Sequence, residues 1–141
     1  MKLFKKNIFF VLITFFACNA QQEVTNYSIA LIYKAQTRGA QITITYKEDK
    51  IVFISGSDHK TIKLTKKQKQ QIQIEVSKIV LSEINNLTAP SDKRFTDGAL
   101  FASFQIKKNI DSYTSSDFDH KNPPEELKPL YILLESIIKK G

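Results

Sequence analysis

Three clusters of residues in this 141-residue chain have types and spacings that could do chemistry. The first is Asp117, Asp119 and His120, whose oxygen and imidazole donors suit zinc or a harder cation. On an extended segment Asp117 and Asp119 share a face while His120 points away, which is a poor ligand set. The plainer reading has Asp119 or Asn122 accepting backbone N–H groups ahead of the Pro123-Pro124 turn. The second cluster is Arg38, Arg94 and Asp97, which fall in loop segments beside Gly39 and Gly98. Arginine suits bidentate recognition of carboxylates, and function concentrates on loops held by a rigid scaffold. Set against that, Arg94 can simply pair with Asp92 or Asp97 at the surface. The third is Ser112, Ser115 and Ser116 with His120, a nucleophile and a base on paper. No elbow motif surrounds a serine and nothing orients the imidazole, so a hydroxyl-rich strand is the simpler account.

Other constellations are missing from the sequence. There is no phosphate-binding loop, no glycine-rich dinucleotide fingerprint and no histidine pair at metal spacing. The single cysteine, Cys18, excludes a disulfide framework and a multi-cysteine metal site. No cofactor, catalytic residue or resident metal is expected.

Residues 1–20 read as an export signal. Lys2, Lys5 and Lys6 precede a ten-residue apolar run, Ile8 to Ala17, too short to span a bilayer. Cys18 closes that run and is expected to be the lipidated first residue of an envelope lipoprotein. Cleavage after Ala20, giving a soluble periplasmic or secreted chain, is the alternative. Without the three leader lysines, 18 basic residues face 14 acidic ones, so the formal +7 falls to +4. That balance and an export address argue against a nucleic-acid partner. The densest basic stretch, Lys60 to Lys69, reads as a solvated strand end and helix start; contact with anionic headgroups is the minority reading.

Residues 21–141 must then position whatever site exists. Ile29, Leu31 and Tyr33 alternate at period two, continuing from Tyr27, as do Ile42, Ile44 and Tyr46. Ile51 to Ile54 is apolar on both faces and reads as a central strand, with a short strand at Thr61 to Leu64. Thr65 and Gln68 form a capping-box pattern before an apolar stripe through Ile72, Val76, Ile79, Val80, Ile84 and Leu87, which predicts a helix ending near Asn85-Asn86. Thr88 to Gly98 is a loop, followed by two strands and a last helix. Pro129 either starts that helix or kinks it. The order strands-helix-two strands-helix predicts one α+β domain: a two-layer sandwich of a mostly antiparallel sheet of five to six strands with both helices on one face.

This arrangement of Arg38-Gly39, a long helix, Arg94-Phe95-Thr96-Asp97-Gly98-Ala99, Phe118-Asp119-His120 and Asn122-Pro123-Pro124 resembles a group of small uncharacterised exported proteins and lipoproteins of bacteria, over most of residues 27–138. The resemblance implies an exported α+β domain and brings no activity with it. In that group a glycine often follows the histidine, where this chain has Lys121. A looser resemblance is to emfourin, a small inhibitor of thermolysin-type metallopeptidases, through Pro123-Pro124-Glu125-Glu126-Leu127-Lys128-Pro129-Leu130; that family's glycine-rich N-terminal segment is missing here. The expected function is a non-enzymatic binding domain of the cell envelope, meeting a protein or small molecule through a face containing Arg38, Arg94, Asp97, Asp119 and His120. The alternatives are an emfourin-like inhibitor and a small hydrolase using His120.

Overall fold

The computed structural model describes residues 28–141. The export signal, Cys18 and Tyr27 lie outside the described residues. Four strands follow one another antiparallel: β1 (Ile29–Gln36), β2 (Gln41–Lys47), β3 (Lys50–Ser55) and β4 (Asp58–Lys63). Helix α1 (Lys66–Ser77) comes next, then 3-10 turns at Leu81–Asn86 and Lys93–Thr96. The strands β5 (Phe101–Lys108), β6 (Asp111–Thr114) and β7 (Phe118–Asp119) lead into the C-terminal helix α2 (Lys128–Lys140). All seven strands join one antiparallel sheet in the order β4-β3-β2-β1-β5-β6, with the two-residue β7 on the other end of β5. The α+β class therefore holds, and the sheet has one strand more than the upper expectation. A two-residue strand carries no period of its own for a sequence reading to find.

Period two decides which side of the sheet is dry. Ile29, Leu31, Tyr33 and Ala35 of β1 stand beside Ile44 and Tyr46 of β2, Ile51 of β3, and Ala102, Phe104 and Ile106 of β5, all buried. Both helices lie on this face, adding Ile72 and Val76 from α1 and Leu130, Leu134, Ile137 and Ile138 from α2 to one continuous core. Among the described residues no helix lies on the opposite face. β3 is paired on both edges but covered on one side only, so Ile54 is 42% exposed where the sequence suggested burial on both faces.

Helix ends follow their local chemistry. Thr65 caps α1: its hydroxyl accepts the Gln68 N–H at 3.2 Å, and the Gln68 side chain accepts the Thr65 N–H at 2.8 Å. The helix stops at Ser77, eight or more residues short of the expectation. Val80 takes an extended conformation and is 65% exposed, and a 3-10 turn swings Ile84 back into the core. The spacings of three and four that suggested one long helix are shared between these two pieces. At the C-terminus the chain makes a tight turn through Pro124 and Leu127, and Pro129 sits in the first turn of α2, where its missing N–H costs nothing. The expected strand at Thr61 to Leu64 is the second half of β4.

Candidate functional site

One end of the sheet, where β1 leaves through Gln36 and β5 enters at Phe101, collects three loops. They are Thr37 to Ala40, the segment from Ser91 to Leu100, and the turn from Asp119 to Asn122. The short β7 fixes the last of these by pairing Asp119 with Phe101 and Phe118 with Ala102.

Asp119 is the internal post of this region, 2% exposed. Its carboxylate accepts the Ser91 hydroxyl at 2.6 Å, the Lys93 N–H at 2.9 Å, the Arg94 N–H at 2.9 Å and Arg94 Nη1 at 3.1 Å. The 3-10 turn at Lys93–Thr96 has no side-chain cap from its own flank, so a residue 25 positions away satisfies its first N–H groups. Burial alone would raise the Asp119 pKa. The hydrogen bonds from Ser91, from the Arg94 and Lys93 backbone and from the Arg94 guanidinium outweigh it and hold the carboxyl at about 2. Asn122 Nδ2 donates to Ser91 Oγ at 2.7 Å and extends the network.

Arg94 is equally enclosed. Nη1 also donates to the Ser91 carbonyl at 2.6 Å, Nη2 meets Asp92 at 3.1 Å, and the guanidinium lies 4.4 Å from the centre of the Phe95 ring. Its charge is consumed by Asp119 and Asp92. Of the two surface partners suggested by the sequence it takes Asp92 and not Asp97. Arg94 and Asp119 are therefore the frame of the site, and they hold other residues in place.

Asp97, at φ +55°, ends the 3-10 turn in the left-handed region, and the next N–H, that of Gly98, donates to the Lys93 carbonyl at 2.9 Å. Lys121, at φ +68°, is the second left-handed residue here, in the turn closed by Asn122 N–H donating to the Asp119 carbonyl. A lysine in this conformation is uncommon, and glycine would adopt it without cost. Strained backbone of this kind gathers where the surroundings over-determine it, as at ligand clamps.

His120 reaches inward as well as outward. Its Nδ1 lies 2.6 Å from the Tyr33 hydroxyl, and the Tyr33 ring is fully buried among Phe104, Phe118 and Tyr131. Burial keeps the Tyr33 phenol protonated far above its usual range, so its O–H is available to donate to Nδ1, the arrangement in which the His120 proton sits on Nε2. Burial, with Lys121 adjacent, also holds the imidazole pKa below its ordinary value, although Glu135 pulls the other way.

Two open depressions share this end of the domain. One, of about 500 Å³, is lined by Thr37, Asp97, Leu100, His120 and Lys121; the other, of about 830 Å³, by Gln36, Arg38, Arg94, Phe95 and Phe101, with Thr37 and Asp97 common to both. Phe95 is 66% exposed and meets Phe101 edge to face at 5.5 Å. The fold thus brings together all five of the expected residues, Arg38, Arg94, Asp97, Asp119 and His120, but with divided duties. Arg38, Asp97 and His120 face solvent space, while Asp119 lies beneath.

The other clusters disperse. Asp117 is not buried, Asp119 is engaged and His120 is bonded to Tyr33; among the described residues no group of three or more His, Cys, Asp or Glu could hold a metal. Ser115 Oγ bonds the Phe104 N–H and the Ser116 carbonyl, and Ser116 Oγ donates to the Leu87 carbonyl. These hydroxyls serve the backbone. Sequence reasoning did not assign Thr37, Phe95, Lys121 or Ser91 to the site, although Phe95 and Lys121 stand in the segments it singled out. Only the turn signals around them, Pro90-Ser91-Asp92, Asp97-Gly98 and Asn122-Pro123, mark where they would converge.

Comparisons with protein-family models, with curated proteins and with solved structures gave no match for this chain. The functional reading therefore rests on the geometry of this end of the domain.

Proposed function

We propose that this chain is a non-enzymatic binding domain of the cell envelope, exported by residues 1–20 and anchored through lipid on Cys18, and that its ligand seat is the joint depression around Thr37 and Asp97. The observation that carries this reading is the division of labour at the site. A buried Arg94–Asp119 pair fixes two loops, and those loops present Asp97 and Lys121 in left-handed backbone beside Arg38 and the exposed Phe95 ring. Rigid presentation of adaptable surface groups is what recognition needs, because little ordering is left to be done on binding.

The groups define the ligand chemistry. Arg38 offers a planar fork for a carboxylate, Lys121 a second cation, and Asp97 an acceptor for a donor group; Phe95 and Phe101 supply aromatic surface. A peptide segment carrying an acidic side chain and an apolar neighbour satisfies all of them. His120 acts as an N–H donor through Nε2. Its other nitrogen is taken by Tyr33, and no carboxylate orients it for base catalysis among the bonds of the described residues. In the emfourin-like segment, Pro123, Pro124, Leu127 and Leu130 are buried, so those positions build the turn into α2.

Capture by the immobilised mature chain from envelope and secreted fractions tests the reading. A specific partner retained by the wild type and lost on Arg38→Ala supports it. Retention unaffected by both Arg38→Ala and Lys121→Ala contradicts it, and a captured, stoichiometrically inhibited metallopeptidase would turn the binding reading into the inhibitor one.

A further inference from the structure

The face of the sheet on which no described helix lies has a charge pattern that solubility does not explain. Side chains directly opposite one another in an antiparallel sheet share a face, so the register can be read across the strands. Lys63 stands opposite Lys50, Lys50 opposite Lys47, Lys47 opposite Ala30, and Ala30 opposite Lys107. Further along the same face lies Lys34, opposite Thr43 and Ser103. The remaining positions on this face are Ile32, Thr45, Val52, Ile54, Thr61, Gln105 and their polar or aromatic neighbours; its one strand-borne carboxylate, Asp119 opposite Phe101, is buried and paired with Arg94. Lys47 meets Glu48, in the turn, at 3.9 Å with both side chains largely exposed. Like charges directly opposite are destabilising in a sheet, and Lys47–Lys50 and Lys50–Lys63 are two such pairs in succession.

We infer that this open face docks on an anionic phospholipid surface, with the row Lys63, Lys50, Lys47 and Lys107 against the headgroup phosphates. Charge complementarity is the first argument: five lysines on one face, no exposed carboxylate among its strand positions, since Asp119 is buried against Arg94, and apolar Ile32 and Val52 between the lysine row and Lys34. Placement is the second. The row crosses β1 at Ala30, next to the point where the chain enters the domain, and Cys18 lies ten positions before Ser28. The larger depression, lined by Gln36 and Phe101 of this same face, lies at the other end of β1 from the row. The basic run Lys60 to Lys69 is split by the fold. Lys63 belongs to this face, whereas Lys66, Lys67 and Lys69 start α1 in the opposite layer. The docking proposal is carried by the lysine row and not by the ligand seat, and a lipid on Cys18 would act in addition to it.

The test is flotation of the full chain, isolated as the expressing cell processes it, with vesicles of phosphatidylcholine alone or with phosphatidylglycerol added. Subtracting the neutral vesicles removes the apolar contribution of the N-terminus, and both lysine-to-glutamine variants share its charges. Exchanging Lys47, Lys50, Lys63 and Lys107 for Gln should reduce the phosphatidylglycerol-dependent partition by roughly 100-fold or more, since each lysine near such a surface contributes substantially. The matched exchange of Lys66, Lys67, Lys69 and Lys140 for Gln should leave most of it. Relief of the opposed pairs should also keep or raise the melting temperature of the first variant, which separates lost docking from lost folding. Equal losses in the two variants, no dependence on phosphatidylglycerol, or lysine-dependent binding to a soluble polyanion without binding to vesicles would each overturn the proposal.

Discussion

Asp119 caps a turn that begins 26 residues before it: its carboxylate takes the N–H groups of Lys93 and Arg94 and then neutralises the Arg94 side chain at 3.1 Å. One carboxylate thereby fixes both the loop carrying Phe95 and Asp97 and the turn carrying His120 and Lys121. Breaking a buried pair by removing one partner leaves an uncompensated charge, at a cost of about 3–5 kcal/mol. Asp119→Ala should fall in that range by chemical denaturation, and Arg94→Ala should destabilise the fold as well as any binding. A stability change below about 1 kcal/mol for Asp119→Ala would show that the pair is not the frame of the site.

The same carboxyl gives the domain an acid limit. Its folded pKa of about 2 lies below the ordinary value of 3.8, so the stability it contributes is fully present above pH 4 and is lost as pH falls toward 2. Denaturation midpoints across pH 2–5 should drop in the wild type. In Asp119→Asn that part of the drop should vanish.

Tyr33 and His120 supply a second titration. The imidazole pKa is held below 6.5, so the unfolded chain binds a proton there before the folded one does. Stability from this residue is complete above pH 6.5 and declines as pH falls through the range below it. NMR titration of His120 should show that depressed pKa and an Nε2-protonated tautomer. Tyr33→Phe leaves Nδ1 without its donor and should cost about 1–3 kcal/mol.

Lys121 occupies a backbone conformation that costs a non-glycine residue about 1–2 kcal/mol. Lys121→Gly should therefore leave the fold intact or stabilise it modestly, because part of the gain is offset by the greater freedom of glycine in the unfolded chain. As a cation of the ligand seat, Lys121 also contributes to affinity, so the same exchange should weaken binding. A variant that is more stable and binds less well would separate the residue's two roles, whereas unchanged affinity would remove Lys121 from the site.

Thr65→Ala should cost about 1 kcal/mol through loss of the capping box on α1. That box was legible from Thr65 and Gln68 alone, because it depends on residues three apart. The strand faces of Ile29, Leu31 and Tyr33 were equally plain, since alternation records burial directly. The end of α1 was hidden: Ile79 and Ile84 keep helical spacing to Ile72 and Val76 although the helix ends at Ser77 and Val80 is extended. The site was legible as a set of residue types in loops, Arg38, Arg94, Asp97, Asp119 and His120. Which of them would be buried was not, because that is decided by the pairing of β7 with β5, a contact of two residues in each strand. The lysine row was hidden for the same reason, as Lys47, Lys50, Lys63 and Lys107 become neighbours only through strand register.

The most direct test of the recognition site is an NMR titration of the mature chain with short acidic peptides that carry an aromatic or aliphatic neighbour. Amide shifts should concentrate at Thr37, Arg38, Asp97, Leu100, His120 and Lys121, and Arg38→Ala should weaken binding at least tenfold, roughly 1.4 kcal/mol, without loss of stability. Shifts that fall elsewhere on the domain, or an Arg38→Ala variant that binds as the wild type does, would contradict the recognition role of this end of the sheet.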